Sequence, residues 1–324
     1  MKRVTIPGTA LNVAPICLGT GNMGTAISVE ESSALLDQLI ALGGNFIDTA
    51  HVYGDWIPGT KGLSEKAIGA WLQSSGLRAQ VVIGTKGGHP ALSSMNVSRL
   101  SRAEIVQDIH ESLDYLRTDV IDLYWLHRDD TAIPVGEIID ILNEQVAAGT
   151  IRDFGASNWT IPRIQAALDY AAGKGVPSFV ANQPRWSLAL PDMAQHPDKT
   201  IVAMDETGIE FHRRTGMAVI PYSSQAHGFF SKLDSVGRSG IRAGDLALYD
   251  SPINGKRFAA ARDLARRYGV SINEIALAYL LAQPFPTIPI VGSKRGDQLA
   301  DSFKASDLAL TPDDLAYLEA NDGA

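Results

Sequence analysis

One cysteine in 324 residues, Cys17, excludes an intramolecular disulfide and any cysteine-built metal site. Set between Ile16 and Leu18, it reads as a buried small hydrophobe. No stretch approaches the ~20 apolar residues that a bilayer-spanning helix needs. The opening Met1-Lys2-Arg3-Val4 lacks the apolar run of a signal peptide, so a cytoplasmic protein is expected. Positive charge is also short. Lys and Arg number 28 against 36 Asp and Glu, a formal net charge of −8. A nucleic-acid or anionic-membrane partner would want a basic face and is not expected. An acidic total still leaves room for a small basic pocket around one anionic cofactor. Charge runs, low-complexity tracts and composition shifts are missing too, so residues 1–324 are read as a single domain.

Short apolar runs alternating with amphipathic segments fill nearly the whole chain. Residues 4–6 and 11–13 flank Pro7-Gly8-Thr9 and predict a small N-terminal hairpin. Strands are then expected at 15–19, 45–49, 80–85, 119–126, 151–156, 177–181, 217–221 and 287–291. Helical patterns follow them, beginning with 29–42, capped by Ser28, then 63–72 and 102–116, capped by Ser101. Further helices are expected at 135–148, 161–171, 199–215, 257–268, 272–281 and 296–303, with a terminal piece from Thr311. A Gly- and Ser-rich insertion occupies residues 224–254 and is expected to fold over a bound cofactor as a clasp. Continuously apolar strands indicate a parallel sheet covered on both faces. Roughly eight βα units favour a closed (β/α)8 TIM barrel, an α/β fold, over an open doubly wound sheet.

Gly19-Thr20-Gly21-Asn22-Met23-Gly24 matches the dinucleotide fingerprint G-x-G-x-x-G, and Asp48 lies 24 positions after the last glycine. That fingerprint needs its last glycine in the first helical turn. Here Thr25-Ala26-Ile27-Ser28 intervene, so the segment reads instead as a loop over a barrel mouth.

Catalytic side chains of such barrels sit where strands end. Three successive strand ends deliver Asp48 with Tyr53, then Lys86, then His127. A free phenol titrates near ~10, too high for a good proton donor at neutral pH. A neighbouring ammonium favours phenolate, a carboxylate holds the ammonium, and an imidazole orients a carbonyl oxygen. Each residue also has a plainer role open to it. Asp48 fits a structural cap, Lys86 a Schiff-base lysine, and His127, followed by Arg128-Asp129-Asp130, a solvated loop histidine.

Together with residues 46–54 and 83–86, the segments 122–127, Gly155-Ala156-Ser157-Asn158, Asn182-Gln183 and Pro221-Tyr222-Ser223 resemble the ordered motifs of the aldo-keto reductase superfamily. The resemblance covers essentially the whole chain. It implies Tyr53 as general acid, Lys86 and Asp48 as the pair that tunes it, and His127 as the residue orienting substrate. It also implies an NADPH (NADP+) cofactor. Ser157, Asn158 and Gln183 match positions holding the nicotinamide carboxamide, and Tyr222 matches the aromatic stacked on the ring. Helix capping for Ser157 and Asn158 and core packing for Tyr222 are the plainer alternatives.

Gly19, Thr20 and Met23 would border the cofactor, and Ser223, Ser224, Gln225, Ala226 and Gly228 would lie along its pyrophosphate. Gly292, Ser293 and Lys294 open a helix after the last strand, where a barrel's anion site is expected. Ser293 and Lys294 fit a 2′-phosphate there, completing a C-terminal nucleotide-binding loop and helix. Gln298, Asp301 and Ser302 fall at the adenosine end. Gln298 replaces a common basic residue and Ser302 a common Asn, which leaves NADH open as an alternative cofactor.

The substrate would be a small carbonyl compound or sugar. Trp56 and Trp159 are expected beside Tyr53 and His127 in the pocket, with Trp125, Trp186, Met23 and His51 also near strand ends. No metal is expected. A non-catalytic NADP(H)-binding regulatory subunit and a Schiff-base lyase using Lys86 are the rival functions.

Overall fold

The computed structural model describes residues 2–319. Strands β1 (Val4–Thr5) and β2 (Asn12–Val13) form the expected antiparallel hairpin, with Val4 opposite Val13. Eight parallel strands follow in one sheet: β3 (Cys17–Gly19), β4 (Phe46–Asp48), β5 (Val82–Gly87), β6 (Ile121–Leu126), β7 (Ile151–Ser157), β8 (Ala181–Gln183), β9 (Ala218–Val219) and β10 (Ile290–Val291). Each pairs with the next in the chain, and β10 returns to β3. The ring closes between β9 and the approach to β10. There Val219 N donates to Pro286 O at 2.8 Å and Ile288 N to Val219 O at 2.9 Å. This is a (β/α)8 barrel.

Helices α1 (Val29–Ala41), α2 (Leu63–Ser75), α3 (Arg102–Leu116), α4 (Val135–Ala148), α5 (Ile161–Lys174) and α6 (Glu206–Thr215) cover the outer face of the first seven strands. Ser28 and Ser101 both close capping boxes, with Glu31 and Glu104. Two apolar layers result. Ile47, Ile83, Tyr124 and Leu126 face the helices, whereas Phe46, Leu123, Trp125, Ala181 and Ala218 fill the barrel interior. Ile6, Leu11 and Val13 of the hairpin join that inner cluster, so the hairpin plugs the barrel's N-terminal end.

Three boundaries differ from the sequence pattern. The sixth barrel strand is Ala181–Gln183, beyond the apolar run at 177–181, because pairing to β7 is set by Ala156 and Ser157. Residues 199–205 form a turn and an irregular segment before α6, whose start is fixed by the Asp205 side chain accepting from Gly208 N. The 224–254 insertion is ordered into α7 (Phe229–Ser235) and α8 (Ala243–Tyr249). It then runs into α9 (Pro252–Tyr268), which begins earlier than its apolar periodicity because Ser251 caps it and Pro252 occupies the first turn. Helices α10 (Ile272–Leu281), α11 (Gly296–Lys304) and α12 (Pro312–Glu319) complete the described residues. None of the described helices is long and apolar enough to cross a membrane.

Candidate active site

Strand alternation brings the polar strand ends together. Phe46 and Asp48 point inward on β4, Gly84 and Lys86 on β5, Leu123 and Trp125 on β6. Asp48 lies opposite Gly84 and Lys86 opposite Trp125, which lifts Lys86 one step above Asp48 towards the mouth. The Lys86 Nζ donates to Asp48 Oδ2 at 2.5 Å, to Thr49 O at 2.7 Å and to Tyr53 Oη at 3.4 Å. Those three bonds use all the protons of an ammonium. On the far side, Gln183 Nε2 donates to Asp48 Oδ1 at 3.0 Å.

Both members of the ion pair are buried. Burial pushes the Asp48 carboxyl above its ordinary value while Lys86 pulls the other way. Burial works to lower the Lys86 pKa, but the Asp48 carboxylate and Tyr53 outweigh it and hold the ammonium above its usual range. Lys86 is therefore a cation at neutral pH.

Tyr53 reaches this pair from the loop after β4, in a turn where its N–H donates to Ala50 O. The next residue must be glycine. Gly54 has φ +105°, and a Cβ there would lie 2.6 Å from Leu63 Cβ. His127 directly follows β6, with its N–H donating to Gly87 O at 2.9 Å. Its ring meets Tyr53 edge-on at 6.1 Å. Burial first, then the charges of His89, Arg128 and Lys86, hold the His127 pKa well below that of a free imidazole, so the ring is neutral. Its Nδ1 is buried without a hydrogen-bond partner. The solvated-loop alternative for His127 is thus corrected. The following Arg128 is itself buried, pairing with Asp198 at 2.9 Å and Thr200 at 2.7 Å.

Around this centre stand the remaining polar positions. Ser157 Oγ donates to Gln183 O at 3.0 Å, and Asn158 Nδ2 to Ser157 Oγ at 3.2 Å. Asn158 Oδ1 accepts from Tyr222 Oη at 2.7 Å. Gln183 Oε1 is buried without a partner. Gly19 lies where a Cβ would press within 2.7 Å of Ile290, and Thr20 Oγ1 donates to Asp48 O at 3.0 Å.

The loop after β9 is strained. Ser223, Ala226 and His227 adopt φ of 52°, 48° and 55°, followed by Gly228 at 74°. Non-glycine residues held there cost of order 1–3 kcal/mol each, an outlay concentrated at binding loops. Ser224 Oγ ties this loop to Ile290 O at 2.5 Å, and Gln225 bridges Gly292 N, Asn273 and Ser302. Gln298 Oε1 accepts from Lys294 N at 3.0 Å, and Asp301 accepts from Asn273 at 2.8 Å. Ser293 Oγ is buried and unpartnered, and Lys294 makes no ion pair among the described residues.

Several expected pocket residues lie elsewhere. Trp159 is 1% exposed, packed on Phe179 with its Nε1 donating to Arg128 O, so its indole belongs to the core. Trp125 lies inside the barrel, Trp186 packs outward on Tyr279 and Phe285, and Met23 turns into the helix–sheet core. His51 points away towards α3, where it meets Glu111 at 2.8 Å. Trp56 alone stays at the mouth, 51% exposed and 6.3 Å from the Tyr53 ring. Sequence reasoning missed His89, whose ring lies 4.7 Å from His127. Its position three residues beyond Lys86 was the available signal.

Buried donors and acceptors lacking partners sit at Gln183, Ser293 and His127. Such groups, with the strained loop after β9, could hold the amide and phosphate groups of a dinucleotide. Among the described residues, no group of three or more His, Cys, Asp or Glu side chains is arranged to hold a metal ion.

Comparison with known proteins places the chain among relatives of one family. The sequence model of the Aldo/keto reductase family matches residues 15–322. Aldo-keto reductase ausK of Emericella nidulans is 30% identical over 98% of this chain and 80% of its own. Aryl-alcohol dehydrogenase [NADP(+)] of Phanerodontia chrysosporium is 30% identical over 98% of this chain and 84% of its own. Protein tas of Escherichia coli is 29% identical over 99% and 97%.

Proposed function

Because the chain belongs to the aldo/keto reductase family of NAD(P)H-dependent oxidoreductases, we propose that it reduces an aldehyde, ketone or sugar carbonyl to the alcohol, reversibly, with NADPH as cofactor and Tyr53 as proton donor. The observation that carries this reading is the unbroken hydrogen-bond chain Gln183–Asp48–Lys86–Tyr53, which ends at the mouth beside a neutral His127. An aromatic carbonyl compound is the favoured substrate, given Trp56 at the mouth and a relative named for aryl alcohols. All 324 residues act as one domain in this reading.

A bound reduced nicotinamide supplies the hydride. The protein's part is placement and protons. Ser157, Asn158 and Gln183 grip the carboxamide, and Tyr222 flanks the ring, so that one face is offered to the substrate. His127, kept neutral, donates an N–H to the carbonyl oxygen and fixes its direction. Tyr53 Oη then gives its proton to the oxygen as negative charge builds there. The phenolate left behind faces the Lys86 ammonium, itself anchored by Asp48, so charge develops against a pre-placed cation. Trp56 shields the opening, and Ser293 with Lys294 receives the 2′-phosphate.

A Schiff-base role for Lys86 fits less well. That chemistry needs a neutral amine, whereas Asp48 and Tyr53 hold this one protonated. A purely regulatory role leaves the intact donor chain without a purpose.

Titrating the protein with NADPH and NADH by fluorescence, then supplying a panel of aryl aldehydes, tests the reading. Tight NADPH binding with turnover is expected. Tyr53→Phe should keep the binding and lose about 10²–10⁴-fold in kcat. Absence of binding by either nucleotide would sink the proposal.

A further inference from the structure

Arg185 lies two residues past Gln183, beyond the end of β8. The chain stays extended there. Arg185 N donates to Val202 O at 2.9 Å, Trp186 N to Tyr222 O at 3.2 Å, and bridges pair Arg185 with both Ala203 and Tyr222. Side chains alternate along such a segment. Asn182 points outward to His212 and Trp186 outward to Tyr279 and Phe285, while Gln183 points inward to Asp48. Arg185 therefore shares the inward side with Gln183, one step nearer the opening.

Arg185 is 5% exposed, and its guanidinium has no carboxylate partner among the described residues. Its one side-chain hydrogen bond runs from Nη2 to Tyr249 Oη at 2.6 Å, and its Nε is buried and unpartnered. Asp245, whose charge reaches Tyr249, is already taken by His227 at 2.7 Å and Arg242 at 2.9 Å. The other buried arginine of the mouth, Arg128, carries its own counterion in Asp198. The backbone bridge sets Arg185 beside Tyr222, and among the charges acting on the Tyr222 phenol Arg185 is the strongest opposing the rise that burial causes.

A buried, uncompensated cation is costly, and a planar fork of donors matches an oxyanion pair. We propose that Arg185 is an anion-binding residue of the mouth, receiving a carboxylate or phosphate group between Gln183, Tyr222 and Tyr249. Two sources offer that chemistry: the pyrophosphate of the dinucleotide and a carboxylate on the carbonyl substrate. The proposal rests on the reductase reading for the identity of those molecules, while the charge imbalance stands without it.

Arg185→Met removes the charge and keeps much of the stem. Its NADPH affinity, and its kcat/KM at saturating NADPH for benzaldehyde and 4-carboxybenzaldehyde, are compared with those of the wild type and Arg185→Lys. If the anion is the pyrophosphate, Arg185→Met weakens NADPH by at least about tenfold and Arg185→Lys restores part of the loss. If it is a substrate carboxylate, NADPH affinity is unchanged and the preference for the carboxylated aldehyde falls by at least about tenfold.

Changes within about twofold on both readouts, in a folded Arg185→Met protein, would overturn the proposal and leave Arg185 as a strut for Tyr249. Should Arg185→Met not fold, the same two readouts on Arg185→Lys decide, because loss of the bidentate fork alone must register in one of them. Melting-temperature shifts with pyrophosphate and with benzoate need no turnover. A wild type stabilised by either anion through Arg185, yet inactive and blind to NADPH, keeps the anion site and sinks the reductase reading instead.

Discussion

Lys86 Nζ sits 2.5 Å from Asp48 Oδ2, with both side chains no more than 3% exposed, and the same nitrogen reaches Tyr53 Oη at 3.4 Å. One buried ion pair therefore serves the barrel's integrity and also touches the proposed proton donor. Lys86→Met should separate from Tyr53→Phe on that ground. It leaves Asp48 buried without its counterion, held by Gln183 alone, a loss of about 3–5 kcal/mol in stability. Turnover should fall by about 10²–10⁴-fold in both variants. Chemical denaturation checks the difference, since Tyr53→Phe should unfold close to the wild type.

At the other end of the site, Ser293 Oγ is buried without a partner and Lys294 is exposed without an ion pair among the described residues. Charge-assisted bonds to a phosphate are worth about 1.5–3 kcal/mol. Lys294→Met is therefore expected to weaken NADPH by about tenfold or more and leave NADH affinity unchanged. Fluorescence titrations with each nucleotide measure it. An equal loss for both would place the 2′-phosphate elsewhere.

Gly155 faces the barrel interior on β7. A Cβ there would lie 2.5 Å from the Trp125 ring and 2.8 Å from Ala181 O. Trp125 is fully buried and cannot retreat. Gly155→Ala should cost about 1–3 kcal/mol through overpacking. Because Trp125 lies opposite Lys86 in the sheet, kcat should drop as well. Thermal melts and steady-state kinetics on one preparation test both effects.

Protonation of a buried histidine sets the acid limit. His212 accepts at Nε2 from Asn182 Nδ2 and donates from Nδ1 to Met217 O, a neutral tautomer fully used. Burial pulls its pKa down from 6.5 to about 4. The unfolded chain binds the proton first, so this contribution is complete above pH 6.5 and is lost as pH falls towards 4. By pH 5 the loss from His212 alone is about 2 kcal/mol. Glu65 acts in the opposite sense. Burial raises its pKa to about 6, so its share is present below its ordinary value of 4.5 and fades as pH rises through 6. Urea denaturation at pH 7.5 and 5 isolates the histidine, since His212→Asn should lose about 2 kcal/mol less than the wild type between them.

By itself the sequence determined the repeat and the rim. Eight apolar runs between amphipathic helices specify a barrel, because a parallel strand buried on both faces must be apolar throughout and needs a crossover helix. Strand ends are visible in that pattern, and they put Asp48, Lys86 and His127 at one rim. Capping boxes at Ser28 and Ser101 were legible because their partners lie three residues away.

Only the tertiary structure decided which way side chains turn and what meets across the mouth. Trp125 and Trp159 are at strand ends in the sequence, yet Trp125 fills the barrel interior and Trp159 packs on Phe179. Asp48 and Gln183 are 135 positions apart, and Arg185 and Tyr249 are 64 apart. No local pattern encodes such pairs. They arise when a closed sheet carries distant strand ends to one opening, and there an arginine that reads as ordinary in the sequence becomes a buried cation without a counterion.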